Sequence, residues 1–217
     1  MSPAPIPLLA PEARWLQCIA SANDRGLGGR LVTLFGPSGA GKTTIATALA
    51  DRCQVYIENT TDNPYLASWL SGRGVFDAGA NQRWFLEKLS QFVRQCDPTK
   101  TLILDQDPAA VVLGYARLFF DDGMIDREVY EGLIEQLLGL EQILSDWKTP
   151  RSVIYLDASE DVLLERIAGR MIADDSQTLV WLRRLRVRFR ELFSWFPKGT
   201  DCSGAKFHLE EVLREIS

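Results

Sequence analysis

The sequence is poor in the two residue types that most often bind transition metals. It contains a single histidine, His208, and four cysteines, which are Cys18, Cys53, Cys96 and Cys202. The cysteines lack the C-x-x-C spacing of thiolate metal sites and redox pairs, so we expect reduced thiols in a reducing compartment. The histidine lies near the C-terminus, far from the other candidate residues described below. Acid–base chemistry is therefore expected to depend on carboxylates.

An excess of basic charge and a long apolar run are also missing. The chain has 24 Lys and Arg against 29 Asp and Glu, a formal net charge of −5, which argues against a general nucleic-acid binder. A small polar or anionic substrate fits this balance better. Residues 1–11 have neither a basic segment nor a long apolar stretch, so we expect no signal peptide and no membrane span. These features predict a soluble, cytoplasmic protein.

Length and composition predict a single catalytic domain. A chain of 217 residues with 46% apolar composition can bury one sizeable core. Residues 1–12 are rich in proline and predict a poorly ordered arm, and a short helix is expected over 14–22. We therefore divide the chain into an N-terminal extension, 1–29, and one domain, 30–217. No internal repeat or low-complexity tract competes with this division.

The most informative segment is 36–43, GPSGAGKT, which fits the phosphate-binding pattern G-x-x-x-x-G-K-[ST]. An apolar run precedes it and a helical pattern follows, so a chance glycine-rich turn is disfavoured. The glycines allow backbone N–H groups to surround phosphate oxygens at a helix N-terminus. Lys42 is expected at the β- and γ-phosphates of ATP and Thr43 at Mg²⁺. The residues assigned to the nucleotide are Gly36, Ser38, Gly39, Ala40, Gly41, Lys42, Thr43 and Thr44.

Apolar strands alternate with helical patterns along the rest of the chain. Strands are predicted over 31–35, 54–57, 100–104, 152–156 and 198–202. Helices are predicted over 79–97, 108–121, 126–147, 159–170 and 176–195. This order indicates an α/β fold with a P-loop kinase-like parallel sheet of about five strands, flanked by helices and carrying a lid segment. Ligands bind beyond the carboxyl ends of such strands.

Three of the predicted strands end at a carboxylate, Glu58, Asp105 or Asp157, and the first two are candidates for the chemistry. Glu58 follows the second strand and is the best candidate for the base that accepts the proton of an attacking hydroxyl, with a surface glutamate at the start of a loop as the alternative. Asp105 follows the third strand and is the candidate metal ligand beside Thr43. A helix cap is the alternative for Asp105, but Asp107 before Pro108 makes the better cap.

Arginines at two places could contact phosphate. Arg166 and Arg170 are one helical turn apart before a polar segment, where they could clamp phosphate oxygens from a lid, or lie on a solvated face. The basic run 181–190 keeps helical spacing of its apolar residues. Its arginines are therefore expected mostly on the outer face of an amphipathic helix, which disfavours a nucleic-acid or membrane surface.

From about Leu31 to the C-terminus the sequence resembles the deoxyribonucleoside kinase family. The resemblance rests on five segments: the phosphate loop 36–43, Glu58 with the N-P-Y-L segment 63–66, the Q-x-x-F-L segment 82–86, and residues 154–159 and 164–170. It implies that Glu58 is the base for a nucleoside 5′-hydroxyl and that Gln82 hydrogen-bonds the nucleobase. It also implies substrate contacts for Phe85, Tyr65 and, more weakly, Asp175, which matches an acidic residue at the sugar 3′-hydroxyl. Family members are commonly homodimers.

The sequence departs from the family pattern after the third strand. The family reads acidic-Arg-Ser there, with the arginine beside the 5′-hydroxyl and the base, whereas this chain reads Asp105-Gln106-Asp107. Ile172 stands where a third lid arginine is common. Both differences remove positive charge from the region of the transferring phosphoryl group. Gln106 is therefore assigned to substrate binding without the charge of arginine.

These residues predict an ATP- and Mg²⁺-dependent kinase for the 5′-hydroxyl of a deoxyribonucleoside or a close analogue. The missing arginine leaves open a second acceptor, another small alcohol or a nucleoside monophosphate. A nucleotide-binding relative without catalytic activity is the third alternative. The expected partner is a small-molecule nucleoside, with no nucleic acid or membrane and a possible homodimer.

Overall fold

A five-stranded parallel sheet organises the molecule. The computed structural model describes residues 9–20, 29–66, 76–168, 175–196 and 199–203. The strands are β1 Arg30–Phe35, β2 Gln54–Tyr56, β3 Leu102–Leu104, β4 Lys148–Tyr155 and β5 Gly199–Asp201. Their order across the sheet is β2-β3-β1-β4-β5, and every pair is parallel. The predicted α/β class and the five parallel strands are confirmed.

Helices cover both faces of this sheet. They are α1 Ala10–Ala20, α2 Lys42–Leu49, α3 Ala78–Val93, a π-helix Ala110–Ala116, α4 Arg117–Asp121, α5 Arg127–Leu144, α6 Glu160–Ala168 and α7 Asp175–Phe193. One face packs the side chains of β1 and β3 against α2, and the other buries a larger cluster from α3, α5, the π-helix and α7. Within the described residues, no helix is both long enough and apolar enough to cross a bilayer.

The predicted helices agree with the structure to within a few residues, with two instructive differences. The helix predicted over 108–121 is divided into the π-helix and α4. The helix predicted over 14–22 begins four residues earlier, at Ala10, so residues 10–12 belong to a helix and not to a poorly ordered arm. The proline count of residues 1–12 misled because Pro11 falls in the first turn, where its missing N–H costs nothing.

A buried carboxylate anchors α1 to the core. Glu12 is fully buried and accepts hydrogen bonds from Arg117 Nη1 at 2.8 Å and from Tyr130 Oη at 2.6 Å. Arg188, on α7, approaches the same carboxylate at 3.4 Å and is itself 1% exposed. The expectation that the arginines of 181–190 lie on the outer face is therefore wrong for Arg188. Hydropathy places arginine outward by default, but a buried carboxylate makes the inward position possible.

A second buried ionic network reaches the end of β3. Arg151, on β4, pairs with Glu141 of α5 and with Asp107, which is fully buried. Asp107 also accepts a hydrogen bond of 2.7 Å from Thr33 Oγ1 and one of 2.8 Å from the backbone N–H of Ala109. The predicted capping role of Asp107 is confirmed, and the ion pair gives it a second function. The chain directly after Asp105 is thus held from β1, β4 and α5.

Candidate active site

The phosphate loop connects β1 to α2, and all three of its glycines, Gly36, Gly39 and Gly41, have a positive φ. Gly36 has φ 148°, and a Cβ there would lie 2.0 Å from the Leu156 carbonyl oxygen. Gly41 has φ 97° at the N-cap of α2, in the left-handed region that L-residues avoid. The loop can therefore lie against the end of β4 and turn directly into the helix N-terminus. Such an N-terminus attracts anions.

Two cationic side chains contact the loop's own carbonyl oxygens. Lys42 Nζ donates to the Gly36 and Pro37 oxygens, at 2.8 and 3.1 Å. Arg166 Nη1, from α6, donates to the Gly39 oxygen at 2.8 Å. The sequence left open whether Arg166 faces solvent or the loop, and the structure places it at the loop. Both cations are within reach of any anion bound there.

Thr43 and Asp105 lie side by side although they are distant in sequence. The Thr43 hydroxyl donates a hydrogen bond of 2.8 Å to Asp105 Oδ2, while the Asp105 backbone N–H donates to the Tyr56 oxygen at 2.9 Å. Asp105 is 2% exposed, and its Oδ1 has no partner among the described residues. A buried carboxylate oxygen without a partner, next to a threonine hydroxyl, is a suitable donor set for Mg²⁺.

Glu58 is the second carboxylate of the site, two residues beyond β2. Burial raises the pKa of its carboxyl to about 7; the charge of Lys42 opposes this shift and that of Asp105 adds to it. A carboxyl with a pKa near neutrality can accept a proton efficiently at physiological pH. Glu58 and Asp105 follow the neighbouring strands β2 and β3, and the phosphate loop with Lys42 follows β1, so all three lie at the same end of the sheet, as the sequence predicts.

Asp105 has a raised pKa for the same principal reason. Burial raises the pKa of its carboxyl, whereas Lys42, the Thr43 hydroxyl and the Glu58 backbone amide lower it. A bound cation would favour the charged form further, because it adds positive charge next to the carboxylate. The site therefore contains two desolvated carboxylates whose charges are balanced in part by one lysine.

The N-P-Y-L segment is tied to α3, which carries Gln82. Asn63 is fully buried, and its Nδ2 donates to Asn81 Oδ1 at 2.8 Å. Its own Oδ1 accepts from the backbone N–H groups of Tyr65 and Leu66, at 3.0 and 3.2 Å. Gln82, the neighbour of Asn81, is 3% exposed. The two family-like segments are thus connected by an asparagine pair.

The other substrate-binding candidates differ in their surroundings. Gln106 is 3% exposed, and its Nε2 has no partner among the described residues. Phe85 is buried in the main hydrophobic cluster beside Trp84, and Tyr65 is exposed. Arg170 lies outside the described residues. For Asp175 the structure gives the backbone, where α7 starts, but not the side chain. The substrate contacts of all these residues stay predictions.

Sequence reasoning did not single out Tyr115. Its hydroxyl lies 3.3 Å from Ser38 Oγ of the phosphate loop, and its ring packs against Trp181 and Phe189 of α7. The signal available in the sequence was its position as the single polar side chain in the otherwise apolar segment 109–116. The helical spacing of that segment favours a core position for Tyr115. This is right for its ring, which packs on α7, but not for its hydroxyl, which contacts the phosphate loop.

A cluster of charges at the end of β4 attaches α7 to the site. Asp157 is 7% exposed and accepts hydrogen bonds from Arg186 Nη2 at 2.8 Å and Arg190 Nη2 at 3.2 Å. The exposed pair of Arg183 with Glu160 joins α7 to α6 nearby. Both helices that flank residues 169–174 are therefore fixed next to the phosphate loop. This explains three more of the arginines in the basic run.

Comparison with known proteins agrees with this geometry. The deoxynucleoside kinase family model matches residues 32–211. This chain belongs to the deoxynucleoside kinase family. It is accordingly a nucleoside kinase, a transferase that phosphorylates deoxynucleosides. The family resemblance found in the sequence is confirmed. A search of curated protein sequences found no significant match to this kinase.

Solved structures similar to this deoxynucleoside kinase include deoxyadenosine kinase from M. mycoides in three liganded forms. The form with the products dCMP and a flexible dCDP and the form with dCTP each show 18% identity, and the form with dATP shows 17%. In each case the TM-score is 0.64, and the match covers 86% of this chain and 98% of the other. At this identity the likeness shows the fold.

Proposed function

We propose that this kinase transfers the γ-phosphoryl group of ATP to the 5′-hydroxyl of a deoxynucleoside, with Glu58 as the base. The observation that carries the proposal is that Glu58 and Asp105, at the ends of neighbouring strands, lie at the same end of the sheet as the phosphate loop, with Asp105 hydrogen-bonded to Thr43. Phosphoryl transfer to an alcohol requires a held triphosphate, positive charge around it and an acceptor for the hydroxyl proton. The described residues supply each of these.

The phosphate loop and two cations hold the donor. Backbone N–H groups of residues 36–43 and the N-terminus of α2 bind phosphate oxygens. Lys42 and Arg166 exchange their bonds to loop carbonyls for bonds to the phosphates, which are stronger because both partners are charged. Arg170 is assigned to the same clamp. Ser38, Gly39, Ala40 and Thr44 belong to the nucleotide contacts proposed from the motif.

Thr43 and Asp105 would hold Mg²⁺, because a hydroxyl and an unpartnered carboxylate oxygen are adjacent there. When bound, the ion supplies charge neutralisation on the β- and γ-phosphate oxygens. Asp105 requires no large movement for this role, since the backbone on both sides of it is hydrogen-bonded, to β2 through Tyr56 and to β1 through Leu34.

Glu58 accepts the proton of the 5′-hydroxyl. In its ionised form the carboxylate takes this proton as the oxygen attacks the γ-phosphorus, while the bond from that phosphorus to the β,γ-bridging oxygen breaks and ADP leaves. The carboxylic acid that forms is tolerated because burial raises the pKa of the group to about 7. Asp105 and Lys42 are the charged neighbours that set this balance. Glu58 therefore combines a usable basicity at neutral pH with a stable protonated state.

The acceptor pocket is proposed to involve Gln82, Gln106, Phe85, Tyr65 and Asp175. A buried glutamine amide can donate to and accept from one nucleobase edge. Adenine and cytosine both present an exocyclic amino donor, a pattern that side-chain amides recognise. The deoxyadenosine kinase of similar fold binds dATP, dCTP and dCMP. We therefore propose deoxyadenosine and deoxycytidine as the substrates to test first.

A nucleoside panel tests this function. Wild-type protein is incubated with MgATP and each of the four deoxynucleosides, and the products are identified by mass spectrometry after chromatography. We expect 5′-monophosphates, and a loss of kcat of about 10²-fold or more for Glu58→Gln. Glu87→Gln, at an exposed position of α3, is the matched control with unchanged kcat.

Other results of the panel identify the alternatives. Phosphorylation of a deoxynucleoside monophosphate or a simple alcohol, with no nucleoside turnover, would favour the second acceptor class, for which the neutral Gln106 is the supporting residue. ATP binding without any transfer would favour an inactive relative. Each of these outcomes contradicts the proposed 5′-hydroxyl acceptor.

The proposal also covers the oligomeric state of the kinase and its location in the cell. We propose a homodimer, on the strength of family membership, and a cytoplasmic protein with reduced thiols. Sedimentation equilibrium of the full chain measures its mass in solution, and a single-chain mass near 24.4 kDa would contradict the dimer.

A further inference from the structure

Tyr115 lies beside the phosphate loop, on the helix that follows β3. It belongs to the π-helix Ala110–Ala116, in which it is the only residue with a polar side chain. Its hydroxyl is 3.3 Å from Ser38 Oγ. This separation is long for a hydrogen bond between hydroxyl groups, but catalytic hydrogen bonds are often long without substrate and shorten when it binds. π-helices are frequent at functional sites.

The surroundings of the Tyr115 hydroxyl keep it protonated. Burial is the main cause that raises the pKa of the Tyr115 hydroxyl; the Ser38 hydrogen bond lowers it, and the charges of Glu58 and Asp105 raise it again. The phenol thus remains protonated throughout the physiological range. It can therefore donate a hydrogen bond to Ser38 of the loop.

The ring of Tyr115 is fixed by α7. Its centroid is 5.8 Å from that of Trp181, with an interplanar angle of 31°, and 5.3 Å from that of Phe189, edge to face at 85°. Phe189 is fully buried, so the packing cannot shift easily. The hydroxyl is consequently presented to Ser38 from a rigid aromatic support.

We propose that Tyr115 is a positioning residue that holds Ser38, and with it the end of the phosphate loop nearest the acceptor, in register with Glu58. This role rests on the proposed function: the contact between Tyr115 and Ser38 sets the distance between the γ-phosphate bound at the loop and the attacking hydroxyl. A misplacement of about 1 Å at such a distance can reduce the rate about 10²-fold. The missing arginine at position 106 makes this alignment more important, because fewer charged contacts hold the reacting groups.

A different role for Tyr115 predicts different kinetics. A side chain that only lines the substrate pocket or fills the core would change the KM for the nucleoside, or the stability, when its hydroxyl is removed. A side chain that acts through Ser38 changes kcat and the affinity for MgATP. Moreover, its effect disappears when Ser38 has already lost its hydroxyl.

The experiment is a double-mutant cycle on the full-length kinase. Tyr115→Phe keeps the ring and removes the hydroxyl, and Ser38→Ala removes the other partner. We expect each to lower kcat about tenfold and to weaken MgATP binding, measured by calorimetry, about threefold, with the KM for the nucleoside changed less than twofold. The double variant is expected to be no worse than either single variant.

Tyr130→Phe is the matched control. Tyr130 is fully buried, whereas Tyr115 is partly buried, but the Tyr130 hydroxyl is likewise hydrogen-bonded, at 2.6 Å from Glu12, and the residue lies on α5 away from the loop. It should lower the melting temperature and leave kcat unchanged, whereas Tyr115→Phe should do the reverse.

The positioning role would be overturned if the losses of kcat in the two single variants multiplied in the double variant. It would also be overturned if Tyr115→Phe raised the KM for the nucleoside and left kcat unchanged. The calorimetric arm separates this inference from the proposed function. Nucleoside turnover in the wild type with no coupling between Tyr115 and Ser38 rejects the inference alone. Coupled losses of MgATP affinity without nucleoside turnover reject the 5′-hydroxyl acceptor alone.

Discussion

The Thr43 hydroxyl donates a hydrogen bond of 2.8 Å to Asp105 across a separation of 62 residues. It joins the first turn of α2 to the end of β3, which are adjacent because β3 lies next to β1 in the sheet. The contact gathers the two proposed metal ligands before any ion is bound. Little rearrangement should therefore be required on binding, and the properties of this pair can be tested directly.

Asp105→Asn should weaken the use of Mg²⁺. An amide replaces the only carboxylate of the proposed ligand pair and removes its charge, so we expect the Mg²⁺ concentration for half-maximal kcat to rise about tenfold or more. Activity is measured against free Mg²⁺ at saturating ATP. Asp146→Asn, at an exposed position, serves as the control. An unchanged Mg²⁺ requirement would count against Asp105 as a ligand.

The rate should fall with acid because Glu58 must be ionised to accept a proton. Its pKa is raised to about 7, so the ionised fraction decreases as the pH drops through 7. We expect kcat/KM for the nucleoside to lose up to tenfold per pH unit below that value. The residual activity of Glu58→Gln should lack the limb. A profile that is flat down to pH 5 in the wild type would contradict the assignment.

Stability should respond to Glu58 in the opposite direction from activity. A carboxyl whose pKa is higher in the folded than in the unfolded state destabilises the fold as the pH rises from the unfolded value towards 7, and the loss persists above it. Glu58→Gln should therefore melt higher than the wild type at pH 8, by about 2 °C or more, with a smaller difference at pH 5. Calorimetric scans at the two pH values measure this. An equal difference at both would show that ionisation of Glu58 is not the cause.

Arg166→Ala should reduce catalysis more than nucleoside binding. The guanidinium contacts the loop at Gly39 and is proposed to stabilise charge on the transferring group, so we expect kcat to fall about tenfold to a hundredfold. Arg183→Ala is the matched control, since this arginine is 59% exposed and pairs with Glu160 instead of the loop. Similar kinetics for the two variants would indicate a general effect of surface charge.

Glu12→Gln should destabilise the protein strongly. Removing the charge of a fully buried carboxylate leaves Arg117 and Arg188 buried with a weakened partner, which typically costs about 3 kcal/mol in the free energy of unfolding. Glu135→Gln breaks the exposed pair with Arg14 and should cost less than about 1 kcal/mol. Urea denaturation of both variants gives the comparison. Equal losses would mean that α1 is not integral to the core.

The strands, their order in the chain and the phosphate loop could be predicted from the sequence because each is encoded by contiguous residues. The run 31–35 must be buried on both faces, and GPSGAGKT combines backbone freedom, a cation and a hydroxyl in eight positions. Glu58 and Asp105 could be found for a related reason, since parallel strands place their carboxyl ends at one edge. Element bounds were less accurate, because capping and packing determine where a helix ends.

The side-chain partners were decided by the tertiary structure. Helical periodicity assigns Arg188 to the outer face, yet its guanidinium is buried because Glu12, 176 residues away, supplies a carboxylate in the core. Periodicity likewise makes Tyr115 a core residue and says nothing of Ser38, which meets it only when the π-helix packs beside the loop. Local sequence therefore determined the phosphate loop and the strand-end carboxylates. The contacts that would align them with an acceptor depend on long-range pairs, which no local pattern encodes.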